Sequence, residues 1–442
     1  MRGVARSASG VRARRGFAVV IVLLAIGIAS VVLVSLQVSA MRQAMSGRES
    51  AARVRAKWAA RAGLEAVIAR LANATQSPSE TSGYAVADDL VEVSIGELEG
   101  VSWSIEHWEG DTKYTGPEDP HTKVNINLME FDDLMELQGM TEDVADAIVR
   151  WRGGDPEAGE LGGYESRNIT PRNANFRSIR ELELILNVDP QLLRGEDWNL
   201  NGRLDENEND GDLTWPPDDA DGVLDAGWSE FITAASIDEG LAFSGEERLY
   251  LPEAAESDLQ LRVEGLTTLQ AQAILAYART ADSLDAFLTT GLSQLARQTG
   301  EFNPAESRAI QDLTLDQQND LLAEATMRDP ELGPAPGKVN LNLVRRETLD
   351  YIPIFRDAPG YADQIVFIRN QRPQGFVHLT ELREYGLQPQ QIVGLRPYID
   401  VQSNAYVVTS RGVDVASGLE VEIQATVART GLPIVITEMT IR

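Results

Sequence analysis

The chain has no cysteine in its 442 residues. Disulfides, thiolate metal sites and cysteine nucleophiles are therefore excluded. Histidine is almost as scarce. His107, His121 and His378 are the only three, none has a second ligand at helical spacing, and each reads as a surface or strand residue. No Gly-x-Ser-x-Gly elbow and no phosphate-binding glycine loop occurs, so no residue can be nominated as catalytic and the chain is read as a non-enzyme. Positive charge is in deficit too: 39 Lys and Arg stand against 68 Asp and Glu, a net charge of −29, although the opening segment is basic. An acidic body opposes nucleic acid, whose affinity comes largely from Lys and Arg on phosphates. It favours solubility and divalent cations.

Charge is also missing from Phe17 to Met41. A helix of that length spans about 30 Å of hydrocarbon. The run is longer than the apolar core of a secretory signal. It passes into "MRQAMSGRESAARVRAKWAARAGLEAVIARLANA", where Ala52, Val54, Trp58, Ala62, Leu64, Val67 and Leu71 recur at helical spacing. One helix is predicted from about Phe17 to Ala72, half in lipid and half in water. Arg2, Arg6, Arg12, Arg14 and Arg15 precede it without an acid, which places that end in the cytoplasm and the rest outside.

Beyond the linker "SPSETSGYAVADD", the stretch "LVEVSIGELEGVSWSIEHWEG" alternates, with Val91, Val93 and Ile95 and then Val101, Trp103, Ile105 and His107. It predicts a hairpin turning around Glu97–Gly100. Comparable alternation returns only at the C-terminal end, in "AYVVTSRGVDV", "GLEVEIQATVART" and "LPIVITEMTIR". A sheet built from both ends implies that the helical middle is an insertion. The fold class is thus α+β: a long N-terminal helix, a small antiparallel sheet and a large inserted helical domain.

That insertion repeats itself. "KVNINLMEFDDLMELQGMTEDVADAIVRWR" from Lys123 matches "KVNLNLVRRETLDYIPIFRDAPGYADQIVFIR" from Lys338. Tails beginning at Phe176 and Phe376 match as well, and a fragment recurs from Leu261. Between the two lies "DWNLNGRLDENE". Asp197, Asn199 and Asn201 take alternate positions, Gly202 the sixth, Arg203 the seventh with its carbonyl, Asp205 the ninth and Glu208 the twelfth. That is the ligand pattern of a twelve-residue calcium loop. A second acidic turn, "PPDDADGVLDAGW", echoes it with Asp219, Asp221 and Asp225, but Pro217 and Trp228 stand at its first and last places. Asp218, or Asp210 and Asp212, could complete it.

The basic leader, Gly16, Phe17 and the long apolar helix resemble the class III signal of type IV pilins and type II secretion pseudopilins. The resemblance implies a prepilin peptidase in the inner membrane that cuts after Gly16 and methylates Phe17. Most members carry Glu at the fifth mature residue, where this chain has Ile21. Lack of that Glu is known in the K class of minor pseudopilins, which is thought to cap the pseudopilus and carries a large helical insertion. The repeats resemble the helix-hairpin-helix, or SAM-like, modules of that class, and its members bind calcium in the insertion.

The reading that follows is a leader over 1–16, a transmembrane helix over 17–41 and its periplasmic extension over 42–80. First strands follow over 81–120, the insertion over 121–402 and the last strands over 403–442. Repeat units occupy about 123–195 and 338–400, and acidic calcium loops 197–228. The expected function is a minor pseudopilin that starts and caps the pseudopilus, single-pass in the inner membrane with its bulk periplasmic. Expected partners are other minor pseudopilins, the pseudopilus, prepilin peptidase and the inner membrane. An exported DNA-binding receptor using the hairpins and a calcium-dependent adhesin are the alternatives. In the hairpins, Thr141 stands where a second Gly would form a phosphate nest, and Glu142, Asp143 and Asp146 line the helix that follows. Both features favour protein contacts.

Overall fold

A computed structural model describes residues 13–109, 112–153, 164, 169–211, 213–238 and 241–442. Residues 1–12 of the expected leader, and Asp212 in the acidic loops, lie outside it. One helix, α1, runs unbroken from Ala13 to Gln76. Among the described residues it alone is long and apolar enough to cross a membrane, and its apolar part is wholly exposed. Its second half lies on a sheet. Ala52, Leu64, Val67 and Leu71 are buried there, as the spacing predicted, whereas Val54 and Trp58 point away and stay exposed.

The sheet has six strands: β1 (Ile95–Leu98), β2 (Val101–Glu109), β3 (Thr112–Thr115), β4 (Ala405–Asp414), β5 (Leu419–Ala428) and β6 (Val435–Ile441). Their order is β1-β2-β4-β5-β6, with β3 paired to β2, and all pairings are antiparallel. Alternation in β4 and β5 turns Val408, Ile423, Ala425 and Val427 onto α1, where they meet Leu64, Val67, Leu71, Leu90 and Ile105. Beyond this core, Arg55 of α1 reaches Asp414 at 2.6 Å and, with the Ser417 hydroxyl, holds that carboxyl down at about 2.

Two details depart from the sequence reading. Residues Ala85–Glu92 form a helix, α2, so Val91 and Val93 are not strand residues, and the linker ends sooner than expected. Val86, Leu90 and Val93 pack on the core at a spacing of four and three, a helical period that the neighbouring valines disguise as alternation. The hairpin then starts at Ile95 and turns at Glu99–Gly100, with Gly100 in the left-handed region. The third strand, β3, carried no signal of its own.

Between β3 and β4 lies the insertion. Its ends are side by side, because Glu118 bridges to Val407. A buried seam joins it to the sheet. The Asp119 carboxylate accepts from the His121 backbone N–H at 2.8 Å and from the Ser403 hydroxyl at 2.5 Å. His121 Nδ1 lies 2.7 Å from the Lys338 carbonyl, and Nε2 accepts from the Asn404 N–H at 3.2 Å. His121 is thus a buried joint, not a surface or strand residue.

Within the insertion, the matching segments make matching bonds. Asn127 exchanges two hydrogen bonds with the Phe176 backbone, as Asn342 does with that of Phe376. Arg152 donates to the carbonyls of Ile126 and Met129, as Arg369 does to those of Leu341 and Val344. Each segment closes with a two-residue parallel pair, Val124–Asn125 with Ile232–Thr233 and Val339–Asn340 with Ile399–Asp400. Their apolar residues form one core, while residues 251–325 build a second, centred on Leu259, Ile274, Leu295 and Leu321. The helices over 281–325, which have no counterpart in the repeats, belong to that second core.

Candidate functional site

The first closing pair relocates the acidic loops. In the second unit, helix Pro389–Leu395 leads almost directly to Ile399. In the first, helix Pro190–Arg194 is followed by residues 195–231 before Ile232. The acidic loops are therefore an excursion inside the first unit, not a link between units.

The loop turns tightly on its first residue. Asp197 is 2% exposed, and its carboxylate accepts from the N–H groups of Asn201 at 2.9 Å and Gly202 at 2.8 Å. Gly202 is in the left-handed region that the sixth position requires. Glu208, 1% exposed, folds back to accept from Trp198 N–H at 3.0 Å and Asp205 N–H at 3.1 Å. The amides of Asn199 and Asn201 both donate to Asp205 Oδ2, at 2.8 and 3.0 Å. Arg203 N–H donates to Asn201 Oδ1 at 2.7 Å, and its guanidinium stays outside, 3.6 Å from Asp205.

Burial pushes Asp197 and Glu208 up, against the backbone donors that favour their anions, and Asp197 and Asp205 push Glu208 further. Lys123, the cation that acts on Asp197, is already paired with Glu118 at 2.7 Å. Buried carboxylates without a counter-charge are costly. As placed, no three acidic or histidine side chains among the described residues converge on one point that could hold a metal. The donor set is nonetheless that of a hard cation: carboxylates of Asp197, Asp205 and Glu208, with amides of Asn199 and Asn201 that present oxygen when turned end for end. In kind these are the donors calcium takes, although as placed they do not converge on one point.

The second turn is built differently. Burial would raise Asp218, but N–H donors from Gly211, Asp210 and Ala220 hold its carboxyl below the usual range. It braces the turn on residues 210–211. Asp219 and Asp221 are exposed and accept from the N–H two residues on, at 3.0 and 2.7 Å. Asp225 is raised by burial and by Asp219, Asp221 and Glu230. Glu196, which the loop pattern does not include, joins the two turns: its carboxylate accepts from Asp219 N–H at 3.1 Å and Asp225 N–H at 3.4 Å. Its adjacency to Asp197 was the only signal available.

At the other end of the chain, Gly16 and Phe17 lie inside α1, with Phe17 and Ile21 exposed on the apolar part. In the hairpins, Gly139 takes the left-handed conformation before helix Glu142–Gly153, whose first turn holds Glu142 and Asp143.

The long helix laid on an antiparallel sheet, with a helical domain inserted between strands, is an α+β architecture. No protein-family model matches the chain, and no curated protein matches it. Among solved structures it is similar to the GspK-GspI-GspJ complex of the type 2 secretion system of enterotoxigenic Escherichia coli. There the identity is 9%, the match covers 90% of this chain and 99% of that one, and the TM-score is 0.42.

Proposed function

We propose that this chain is a minor pseudopilin of the K class in type II secretion, anchored in the inner membrane and placed at the tip of the pseudopilus. The observation that carries the reading is α1: one helix whose exposed apolar half continues, without a break, into a half that forms the core of a sheet. Such an element ties a folded body rigidly to the membrane. Ile21, exposed where the family's Glu would pair with a neighbouring subunit's amine, suits a subunit that starts a fibre and does not extend it. The partners are other minor pseudopilins and, during maturation, prepilin peptidase. Its role is mechanical and not enzymatic. The acidic first turn of helix Glu142–Gly153 argues for protein contacts over DNA. Calcium belongs to the same reading, held by Asp197, Asn199, Asn201, Asp205, Glu208 and the Arg203 carbonyl, where it would neutralise the buried acids and order the loop.

The test is the mature terminus together with the position in the fibre. Mass spectrometry of the membrane form should find a methylated Phe17 as first residue, and Gly16→Leu should leave the full-length chain in the membrane. Gold labelling should mark few copies, all at one fibre end. An intact leader on wild-type protein, or label spread evenly along fibres, would refute the assignment.

A further inference from the structure

Arg429, just beyond β5, is a buried cation without a countercharge. It is 5% exposed. Its Nε donates to Thr75 Oγ1 at 2.7 Å, and that hydroxyl donates in turn to the Leu71 carbonyl at 2.7 Å. The guanidinium is thereby fixed in place, while Nη1 and Nη2 find no acceptor among the described residues. No described carboxylate acts on it: burial pulls its pKa down, and only the buried Tyr406 hydroxyl works the other way. Asp119, the acid near Tyr406, is turned to the Ser403 hydroxyl and the His121 N–H. A buried charge left in this state is costly.

The guanidinium lines a cavity of about 50 Å³, and the start of α2 forms another wall. Tyr84, at the N-cap, caps with no side-chain bond. Ala85 N–H meets the Ser82 carbonyl only at 3.5 Å, and Asp88 N–H reaches the Tyr84 carbonyl at 2.9 Å. Between them, the N–H groups of Val86 and Ala87, both on the cavity wall, have no acceptor among the described residues. Free first-turn amides attract negative charge. Ser79, Ser82 and Gln402 add polar lining, and no acid lines the cavity, in a chain of net charge −29.

We infer that this cavity binds a small oxyanion of the phosphate or sulfate kind, held between the fork of Arg429 and the first-turn amides of α2. The fork matches two oxygens of one anion, and the amides can take a third. The cavity exceeds the ~30 Å³ share of one water and falls far below the several hundred Å³ of a nucleotide-sized pocket, so the ligand is the free ion. The turn after α1, α2, the second repeat unit and the end of β5 all meet here. They are tied directly as well, by Gly83 N–H to the Gln374 carbonyl at 2.8 Å and the Tyr84 hydroxyl to the Asn342 carbonyl at 3.3 Å. The ion therefore opens and closes nothing. It neutralises Arg429 and stabilises the folded body by mass action. Neither the pseudopilin reading nor calcium is needed for this site.

Full-length protein in detergent, with chelator present throughout, tests it by titration calorimetry with phosphate. Wild type should give heat of binding at millimolar phosphate or below. Its thermal midpoint in 20-fold excess over the dissociation constant should rise by about 3 °C over chloride of equal ionic strength. Arg429→Gln keeps a donor for Thr75 but loses the charge, and should show neither the heat nor the rise. Arg429→Lys keeps the charge but not the fork, and should bind at least about fivefold more weakly. General salt effects act on all three proteins alike, so the difference between them is the readout. Wild type without heat and with equal midpoints in phosphate and chloride overturns the site, whatever the variants do. A phosphate response kept in full by Arg429→Gln, or wild-type affinity in Arg429→Lys, overturns it too.

Discussion

Millimolar calcium should raise the thermal midpoint of the protein by about 5 °C over chelator, and Glu208→Gln should remove most of that rise. An ion present at a hundred times its dissociation constant stabilises by about 2.7 kcal/mol. For a domain of a few hundred residues that corresponds to roughly 5–10 °C, and less as size grows. Glu208 is the sensitive position because it is buried and both its oxygens are engaged, one on Trp198 N–H and one on Asp205 N–H. Gln keeps the shape and one acceptor but removes the charge. In chelator the variant exchanges a buried anion for an amide nitrogen facing a backbone N–H, so its midpoint there should stay near the parent's. Asp219→Asn, in the exposed second turn, should keep the calcium increment. Scanning calorimetry of the three proteins decides the matter, and identical melting in calcium and chelator for wild type would show that the loop is only an acidic turn.

Replacing Gly412 with Val should destabilise the folded body by about 3 kcal/mol or more and loosen α1 from the sheet. Gly412 lies in β4, opposite Trp103 of β2. Here the backbone of α1 comes so close that a Cβ would overlap the Ala56 carbonyl and the Ala60 nitrogen. Both obstacles are main chain, so no rotamer change relieves them. The helix meets this strand through Ala52, Ala56, Ala59 and Ala60, all buried, which is how so near an approach is possible. Overpacked cores typically lose about 1–3 kcal/mol, and more where the backbone must move. Hydrogen exchange should quicken in both residues 52–71 and β4. Gly63 provides the contrast. Its Cβ would meet the side chains of Ser410 and Trp103 and no main chain of the sheet, so Gly63→Ala should cost less. A Gly412→Val protein with unchanged melting and exchange would mean that the helix does not rest on this strand.

Parts of this molecule were plain in the sequence for physical reasons. α1 needed only a charge-free run and an unbroken continuation. β4 and β5 alternate residue by residue between buried and half-buried positions, and period two cannot be mistaken there. The tight turn of the acidic loop could be read because Gly202 stands where the backbone must enter the left-handed region. What stayed hidden depends on distant partners. Ile232 and Thr233 form a strand of two residues, too short for any pattern, so nothing marked the acidic loops as lying within the first unit. His121 looks isolated in sequence, yet its ring is enclosed by Lys338 and Asn404. Arg442 on Asn199 is a contact across most of the chain. α2 was lost to a different cause, since Val91 and Val93 imitate a strand while Val86, Leu90 and Val93 obey a helix.

The bridge between Glu118 and Val407 bears on the order of folding. β2 cannot pair with β4 until about 300 further residues have arrived, and closing so long a loop is slow when the intervening chain is unstructured. The insertion removes that difficulty if it folds first, because its own ends then emerge side by side. Synthesis delivers the chain N-terminus first, so α1 and the β1–β2 hairpin wait, half-assembled, for their last three strands. In pulse-labelled refolding, amides of residues 339–400 should gain protection before those of β2. Simultaneous protection would mean that the sheet gathers its distant strands unaided. In the first case the inserted domain acts as an internal chaperone for the small sheet that carries it.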